Sequence, residues 1–172
     1  MRRLADNKFL LLIIIISLAI KLALSGYVAV KIPSAKFMPD TATYLEPGIN
    51  CIEKGVFATF SDKGQLIYET NRTPGYPLFI AFLNNVLKLS FDSIIILQIL
   101  LITFAGYIIY KAAYELDKRI ALLAAFIFLF DLPTTISALM LLTEALYTVF
   151  MVVFMYLFLK YLRDRNISFL IY

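Results

Sequence analysis

The chain has 172 residues, of which 62% are apolar and only 16% are charged. A soluble domain is about 45–50% apolar and about 25% charged, so this composition excludes a soluble globular protein and a disordered one. The absence of histidine and the single cysteine exclude disulfide frameworks, Cys/His zinc sites and histidine-based triads. The fold class predicted is therefore an all-α integral membrane protein, in which the positions of the lysines and arginines matter more than the net charge of +4.

The first apolar stretch, residues 9–30, contains one charge, Lys21. Its length as a helix is about 33 Å, which is enough to cross a hydrocarbon core of about 30 Å. The stretch is long and lacks a small-residue cleavage site followed by a polar start, so an uncleaved signal anchor is favoured over a cleaved signal peptide.

Residues 31–92 form a long external loop in this interpretation. Their first part is rich in proline, glycine and charges of both signs, and long loops of this kind are usually functional. A juxtamembrane helix is predicted near residues 40–54, although Glu46-Pro47-Gly48 is expected to break it after two turns.

A second interfacial helix is predicted over residues 76–89. This segment is too short to cross the bilayer, and helical spacing gathers its more polar residues on one stripe, namely Ala81, Asn84, Asn85 and Lys88. A polar stripe on an apolar helix favours a position in the membrane interface over a crossing.

Three further spans are predicted, at residues 93–110, 119–133 and 141–160. The last two come from one apolar run that would be about 60 Å long as a single helix, twice the thickness of the hydrocarbon core. The run must therefore fold back, and Asp131-Leu132-Pro133 is the natural turn because proline removes a backbone donor and disfavours helix before it.

The distribution of positive charge predicts the orientation. With four spans, residues 1–8, 111–119 and 160–172 share one side of the membrane and hold nine of the 16 lysines and arginines. The positive-inside rule then places both termini in the cytoplasm and the long loop outside. The predicted location is the plasma (inner) membrane.

Ionisable residues at membrane depth indicate function by default, but each has a structural alternative. Lys21 could snorkel or pair with an acid from a neighbouring span. Asp131 could cap the turn before Pro133. Glu144, close to a helix start, could be stabilised by the helix N-terminus.

Two loop residues have the same double interpretation. Asp40 is placed either as a helix N-cap or as a functional carboxylate. Arg72 precedes a rigid Pro-Gly-Tyr-Pro corner and could bind a lipid headgroup or a specific phosphate.

The order of these motifs resembles a known family. Pro39-Asp40-Thr41-Ala42-Thr43-Tyr44 follows the first span, Arg72-Thr73-Pro74-Gly75-Tyr76-Pro77 follows later in the loop, and Leu141-Leu142-Thr143-Glu144 opens the last span. The combination is similar to the N-terminal part of the polytopic GT-C glycosyltransferases that use lipid-linked sugars. Within them it resembles the bacterial aminoarabinose transferase and protein O-mannosyltransferase-like group.

This resemblance implies a function and a site. It implies a polyprenyl-phosphate sugar donor and an inverting transfer to the hydroxyl of a lipid, glycan or protein acceptor, without a nucleic-acid partner. Asp40 would be the catalytic base or position the acceptor. The other implied residues would bind substrate: Glu144, Arg72, Tyr44, Lys21 and Tyr76. No cofactor is implied, and dependence on a divalent metal is left open.

Two alternatives stay open at this level: a non-catalytic membrane scaffold or subunit, and a transporter fragment for lipid-linked sugars. The enzyme requires Asp40 and Glu144 at one cavity beside a basic group, whereas the scaffold predicts Asp40 as a helix cap. Members of the resembled family are longer, and residues 166–172 look like the start of another apolar segment. The sequence is therefore expected to be a fragment that is inactive alone.

Overall fold

The structure is a computed structural model that describes residues 2–61 and 63–164. The segment 166–172, on which the expected truncation rests, lies outside the described residues. The helices are α1 (Arg2–Lys31), α2 (Pro39–Lys54), α3 (Gly75–Ala81), α4 (Phe91–Leu116), α5 (Ala121–Leu129), α6 (Leu132–Ala138) and α7 (Thr143–Asp164). A 3₁₀ turn covers Pro33–Lys36, a π turn covers Phe82–Val86, and two short strands are β1 (Ala58–Phe60) and β2 (Leu66–Tyr68).

Three helices in the described residues are long and apolar enough to cross a membrane: Lys8–Lys31 of α1, Phe91–Leu116 of α4 and Thr143–Arg163 of α7. A fourth crossing exists if the bent pair α5 and α6 counts as one span. Helix α4 is the centre of the bundle, since it packs against α1, α5, α6 and α7. The chain is therefore an integral membrane protein with three to four spans.

The third predicted span, residues 119–133, is not one helix. It is divided between α5 and α6, whose axes differ by 52°, and α5 alone is about 14 Å long. Asp131 explains the break, because its carboxylate accepts hydrogen bonds from the backbone N–H of Thr134 at 2.8 Å and from the Thr134 hydroxyl at 2.6 Å. Asp131 thus caps α6, and Pro133 in the first turn keeps α5 from continuing.

Contacts with α4 show in which direction the bent pair α5 and α6 runs. Leu129, at the end of α5, packs on Gly106 so closely that a Cβ there would lie 2.6 Å from the Leu129 Cγ. After α6, the Met140 carbonyl accepts a hydrogen bond of 2.8 Å from Gln98 Nε2. Because Gly106 and Gln98 are about 12 Å apart along α4, the chain advances in one direction past α4. These contacts favour a broken span over a re-entrant loop.

The expected break at Pro47 is absent, and α2 continues through it to Lys54. Proline costs the helix one backbone donor, and the surrounding turn is buried against α3. Gly48 makes this approach close, since a Cβ there would lie 2.8 Å from the carbonyl carbon of Pro77. Helices α2 and α3 therefore form one packed unit.

The interfacial helix predicted over 76–89 ends early. Helix α3 stops at Ala81 and widens into the π turn, so the predicted polar stripe loses its common face. Lys88 then has a positive φ of 56°, and Asn84 Nδ2 donates to the Leu89 carbonyl at 2.9 Å, which closes the turn.

A small hairpin corrects the all-α prediction for the loop. Strands β1 and β2 are antiparallel, with Ala58 opposite Tyr68 and Phe60 opposite Leu66. The hairpin is attached to α2, because the Ala58 carbonyl accepts from Asn50 Nδ2 at 2.8 Å and the Phe60 N–H donates to a Glu46 carboxylate oxygen at 2.8 Å. Three-residue strands are too short for an alternating pattern to reveal them.

Candidate functional site

Charged, aromatic and amide side chains from five parts of the chain lie at one end of the bundle. They come from the first two turns of α2, from the first turns of α3 and α7, from the segment before α3, and from the third turn of α4. We call this group the external cluster, after the orientation predicted from the sequence, and its members are Asp40, Tyr44, Arg72, Tyr76, Gln98 and Glu144.

An ion pair forms the outer edge of the external cluster. Arg72 Nη2 lies 2.6 Å from Asp40 Oδ1, and the side chains of Arg72 and Asp40 are 30% and 54% exposed. Arg72 Nη1 also donates to the Tyr44 hydroxyl at 3.5 Å, and the guanidinium lies 5.0 Å from the centroid of the Tyr44 ring, a cation–π distance. Because exposed ion pairs stabilise a fold little, this pair is open to exchange with a ligand.

Two aromatic rings connect this ion pair to the protein interior. The rings of Tyr44 and Tyr76 meet edge to face with centroids 5.4 Å apart. The Tyr76 hydroxyl donates to Gln98 Oε1 at 2.9 Å. Both tyrosines are buried, so the ion pair rests on a rigid aromatic base.

Burial and nearby charge determine the state of the two phenols. Burial raises the pKa of Tyr44, Arg72 lowers it, and Asp40 and Glu144 raise it. The pKa of Tyr76 is raised by burial and then by Tyr44 and Glu144. Both side chains therefore remain neutral hydrogen-bond donors throughout the physiological pH range.

Glu144 lies in the first turn of α7 and is exposed. Its charge, like that of Asp40, raises the pKa of the Tyr44 phenol, so both carboxylates lie within electrostatic range of that phenol. A helix N-terminus favours a carboxylate at this position.

A backbone frame holds the α6–α7 connection against the start of α2. The Leu141 N–H donates to the Lys36 carbonyl at 3.0 Å, and the Thr41 hydroxyl donates to the Leu141 carbonyl at 3.2 Å. Lys36 in turn pairs with Asp92 at 2.7 Å. These hydrogen bonds hold Thr41 and Leu141 in place. Asp40 is one residue from Thr41, and Glu144 is three residues from Leu141.

Asp40 is not the cap that the scaffold interpretation predicted. The N-cap of α2 is Met38, whose N–H donates to the Thr41 hydroxyl at 3.0 Å. Asp40 lies inside the first turn, and its carboxylate binds Arg72 instead.

Lys21 is not part of the external cluster, contrary to the prediction that it binds substrate. It is only 1% exposed, and its Nζ donates to the Ser17 hydroxyl and to the Leu129 carbonyl, each at 2.5 Å. Lys21 lies about 15 Å below the end of α1 and faces the end of α5, where helix carbonyls need donors.

Gln98 was missed in the sequence. It is a single amide in a long apolar stretch, and that isolation was the available signal. Among the described residues, no group of three or more acidic or cysteine side chains could hold a metal ion.

The fold and site define a class: a polytopic membrane protein with a cluster of acidic, basic and aromatic residues at one end of its bundle. Residues 71–172, more than half of the chain, match the family model of dolichyl-phosphate-mannose-protein mannosyltransferases. The chain therefore belongs to this family, which consists of membrane glycosyltransferases of GT-C type. The match includes Arg72 and Glu144, whereas Asp40 and Tyr44 precede it. Searches of curated proteins and of solved structures find no match.

Proposed function

We propose that the external cluster binds the phosphate of a polyprenyl-phosphate sugar and supports transfer of the sugar to an acceptor hydroxyl. The observation that carries the proposal is the accessible pair of Arg72 and Asp40, 2.6 Å apart, on a chain of a glycosyltransferase family. A carboxylate base for the attacking hydroxyl and a cation for the leaving phosphate are the two groups that this reaction needs.

Each group has a defined role in the proposed reaction. The acceptor oxygen attacks the anomeric carbon from the side opposite the phosphate, and the carbon–oxygen bond to the phosphate breaks with its electron pair remaining on the phosphate. Asp40 accepts the proton of the attacking hydroxyl, and Arg72 stabilises the negative charge on the departing phosphate. The product has an inverted anomeric centre.

The remaining members of the cluster fit supporting roles. Tyr44 and Tyr76 stay protonated, so the Tyr44 hydroxyl provides a neutral donor beside the guanidinium. Glu144 is exposed at the same group and accepts hydrogen bonds from sugar or acceptor hydroxyls. Lys21 has no role here, since it is buried in other contacts.

We place this reaction at the external face of the plasma membrane, with both termini in the cytoplasm. Support comes from the nine positive residues on the predicted cytoplasmic segments and from the positive-inside rule. The external cluster lies at the opposite end of the bundle, where α1 ends and α4 and α7 begin.

The competing functions receive less support from the geometry. A scaffold needs no convergence of charges, and Asp40 has a partner other than a helix end. A transporter needs ionisable groups spread through the depth of the membrane, whereas Asp40 and Glu144 meet at one end and Asp131 caps a helix.

Binding of polyprenyl phosphate to the full chain in lipid nanodiscs tests the donor site. Arg72→Gln removes a charge-assisted contact and is expected to weaken binding about 10-fold or more. The matched control is Arg163→Gln, which disrupts the Arg163–Glu115 pair at the other end of the bundle and should leave the affinity unchanged. Equal affinities for Arg72→Gln and wild type would overturn the proposed donor site.

Sugar transfer from polyprenyl-phosphate mannose, assayed in membranes that contain the chain, tests the role of Asp40. Loss of a general base lowers turnover about 10²-fold or more, so Asp40→Asn should lose turnover while Glu115→Gln, which disrupts the distant pair with Arg163, retains it. Turnover that survives Asp40→Asn would remove Asp40 as the base. A wild-type chain that binds the lipid without transferring sugar would contradict transfer by this chain alone and would agree with the inactive fragment predicted from the sequence.

A further inference from the structure

Gln98 is a buried amide in the membrane-spanning helix α4, and both ends of its side chain are hydrogen-bonded. It is 1% exposed. Its Oε1 accepts from the Tyr76 hydroxyl at 2.9 Å, and its Nε2 donates to the Met140 carbonyl at 2.8 Å. A buried amide is stable only when both ends have partners, and here one partner belongs to the external cluster and the other precedes the helix that carries Glu144.

The first partner, Tyr76, leads to the part of the cluster that contains Arg72. The Met140 bond fixes the orientation of the amide, so Oε1 is the atom that faces Tyr76. Tyr76 then packs edge to face on Tyr44, and the Tyr44 ring carries the Arg72 guanidinium. Rotation or displacement of the Tyr76 ring would therefore move the base on which Arg72 rests.

The second partner, Met140, leads to the part of the cluster that contains Glu144. Met140 precedes Leu141, which is tied to the start of α2, and Glu144 follows in the first turn of α7. By holding the Met140 carbonyl against α4, Gln98 fixes where α7 begins and hence where Glu144 lies.

We propose that Gln98 is a positioning residue for the external cluster. It acts through Tyr76 and Met140 to set the distance between the phosphate-binding Arg72 and the α7 start that carries Glu144. This inference rests on the proposed function, because its effect is measured on binding of the donor phosphate.

Gln98→Leu tests the inference, since leucine fills most of the volume but satisfies neither the Tyr76 hydroxyl nor the Met140 carbonyl. Affinity for polyprenyl phosphate in nanodiscs should fall about two- to ten-fold, the range expected for one or two buried hydrogen bonds. Tyr76→Phe removes only the hydrogen bond between Tyr76 and Gln98, so the affinity should fall less. Adding Tyr76→Phe to Gln98→Leu should cost little more, because the two residues act as a unit.

Thr103→Val is the matched control. Thr103 is another buried polar residue of α4, and its hydroxyl donates to the Ile99 carbonyl of the same helix at 2.8 Å. Its loss should change thermal stability as any buried hydroxyl does, while the affinity for polyprenyl phosphate stays at the wild-type value.

Gln98→Glu restores the hydrogen bonds of Gln98 when the glutamate is protonated. This variant therefore separates a positioning role of Gln98 from a general effect on stability. A protonated glutamate can donate to Met140 and accept from Tyr76 as glutamine does, whereas the carboxylate opposes the Met140 carbonyl. Burial favours the neutral form, and the titratable groups that bear on this position are Tyr76 and, through it, Tyr44 and Glu144. Relative to wild type at the same pH, affinity should therefore be near normal at about pH 5 and reduced at about pH 9.

The outcomes distinguish the two proposals. If Arg72→Gln weakens binding but Gln98→Leu and the ionised Gln98→Glu do not, the positioning role is wrong and the donor site stands. If Arg72→Gln has no effect, the donor site itself is wrong. If Gln98→Leu fails to fold, the pH-dependent affinity of Gln98→Glu decides, and a flat ratio to wild type overturns the role of Gln98.

Discussion

Two regions of the molecule each hold a basic side chain, and they use it in opposite ways. In the external cluster, Arg72 is partly exposed and pairs with an exposed carboxylate. At the break between α5 and α6, Lys21 is buried and binds the Ser17 hydroxyl and the Leu129 carbonyl. Asp40 beside Arg72 is accessible to solvent, whereas the Lys21 partners are buried in the fold. Accessibility of the partner, rather than the charge itself, separates the cation proposed to bind phosphate from the structural one.

The contacts of Lys21 at the end of α5 have a physical reason. The last carbonyls of a helix lack partners within the helix, and inside a bilayer no water can replace them. Helix α5 ends within the bundle, so the Leu129 carbonyl requires donors from elsewhere. Ser17 donates to it at 2.8 Å in addition to Lys21, and together the two α1 side chains close the end of α5.

The largest effect is expected from charge reversal in the buried region. Lys21→Glu places a carboxylate against the Leu129 carbonyl, and an uncompensated buried charge costs about 3–5 kcal/mol. The yield of folded monomer and the melting temperature in detergent should fall sharply. Lys21→Met is the matched control with a small effect, because Ser17 still donates to Leu129. A folded Lys21→Glu protein with weakened polyprenyl-phosphate binding would instead move Lys21 into the donor site.

An intermediate effect is expected where the two loop helices touch. Gly48→Val drives a side chain into the Pro77 backbone, and such overpacking costs about 1–3 kcal/mol. Since α2 carries Tyr44 and α3 carries Tyr76, binding of polyprenyl phosphate should weaken along with thermal stability. Gly26→Ala is the control, because a Cβ there meets nothing within 4 Å. Unchanged binding in Gly48→Val would show that the α2–α3 contact does not shape the external cluster.

The smallest effect is a gain in affinity. Asp40→Asn removes the carboxylate that competes for Arg72, and an exposed ion pair of this kind is worth about 0.2–1 kcal/mol. Affinity for polyprenyl phosphate should therefore rise, by at most about five-fold, in the same nanodisc titration. Glu115→Gln should show no rise, because it disrupts an ion pair at the other end of the bundle. An affinity that falls in Asp40→Asn would mean that Asp40 contributes to phosphate binding directly.

The sequence predicted the long spans well and the packed details poorly. Bilayer thickness imposes a length on each apolar stretch, so the helices now seen as α1, α4 and α7 could be anticipated. The break at residues 131–133 could also be anticipated from its cap and proline. The continuation as α6 could not, because it depends on how α5 packs on α4 and α1, with Leu129 meeting Gly106 and accepting from Ser17, which lies 112 residues away in the sequence. The hairpin escaped notice because its strands have three residues each.

The candidate site shows the same limit. Asp40, Arg72 and Glu144 could be singled out from their motifs and from a family resemblance, and the structure pairs Asp40 with Arg72 and has Glu144 within electrostatic range of Tyr44. Their chemical roles stay predictions. Lys21 was assigned to the same group because nothing local reveals which neighbour a helix face meets. Gln98 went unnoticed because an amide has no charge and its partners, Tyr76 and Met140, come from distant segments.

The closed end of α5 has a consequence for how the protein enters the membrane. A helix of nine residues with a terminal carbonyl in need of donors is a poor candidate for independent insertion, since it neither reaches across the lipid nor completes its own backbone bonds. The donors reside on α1, more than a hundred residues earlier in the chain. We therefore expect stable insertion of α5 to depend on α1 being present beside it, because α1 supplies the donors that complete the end of this half-span.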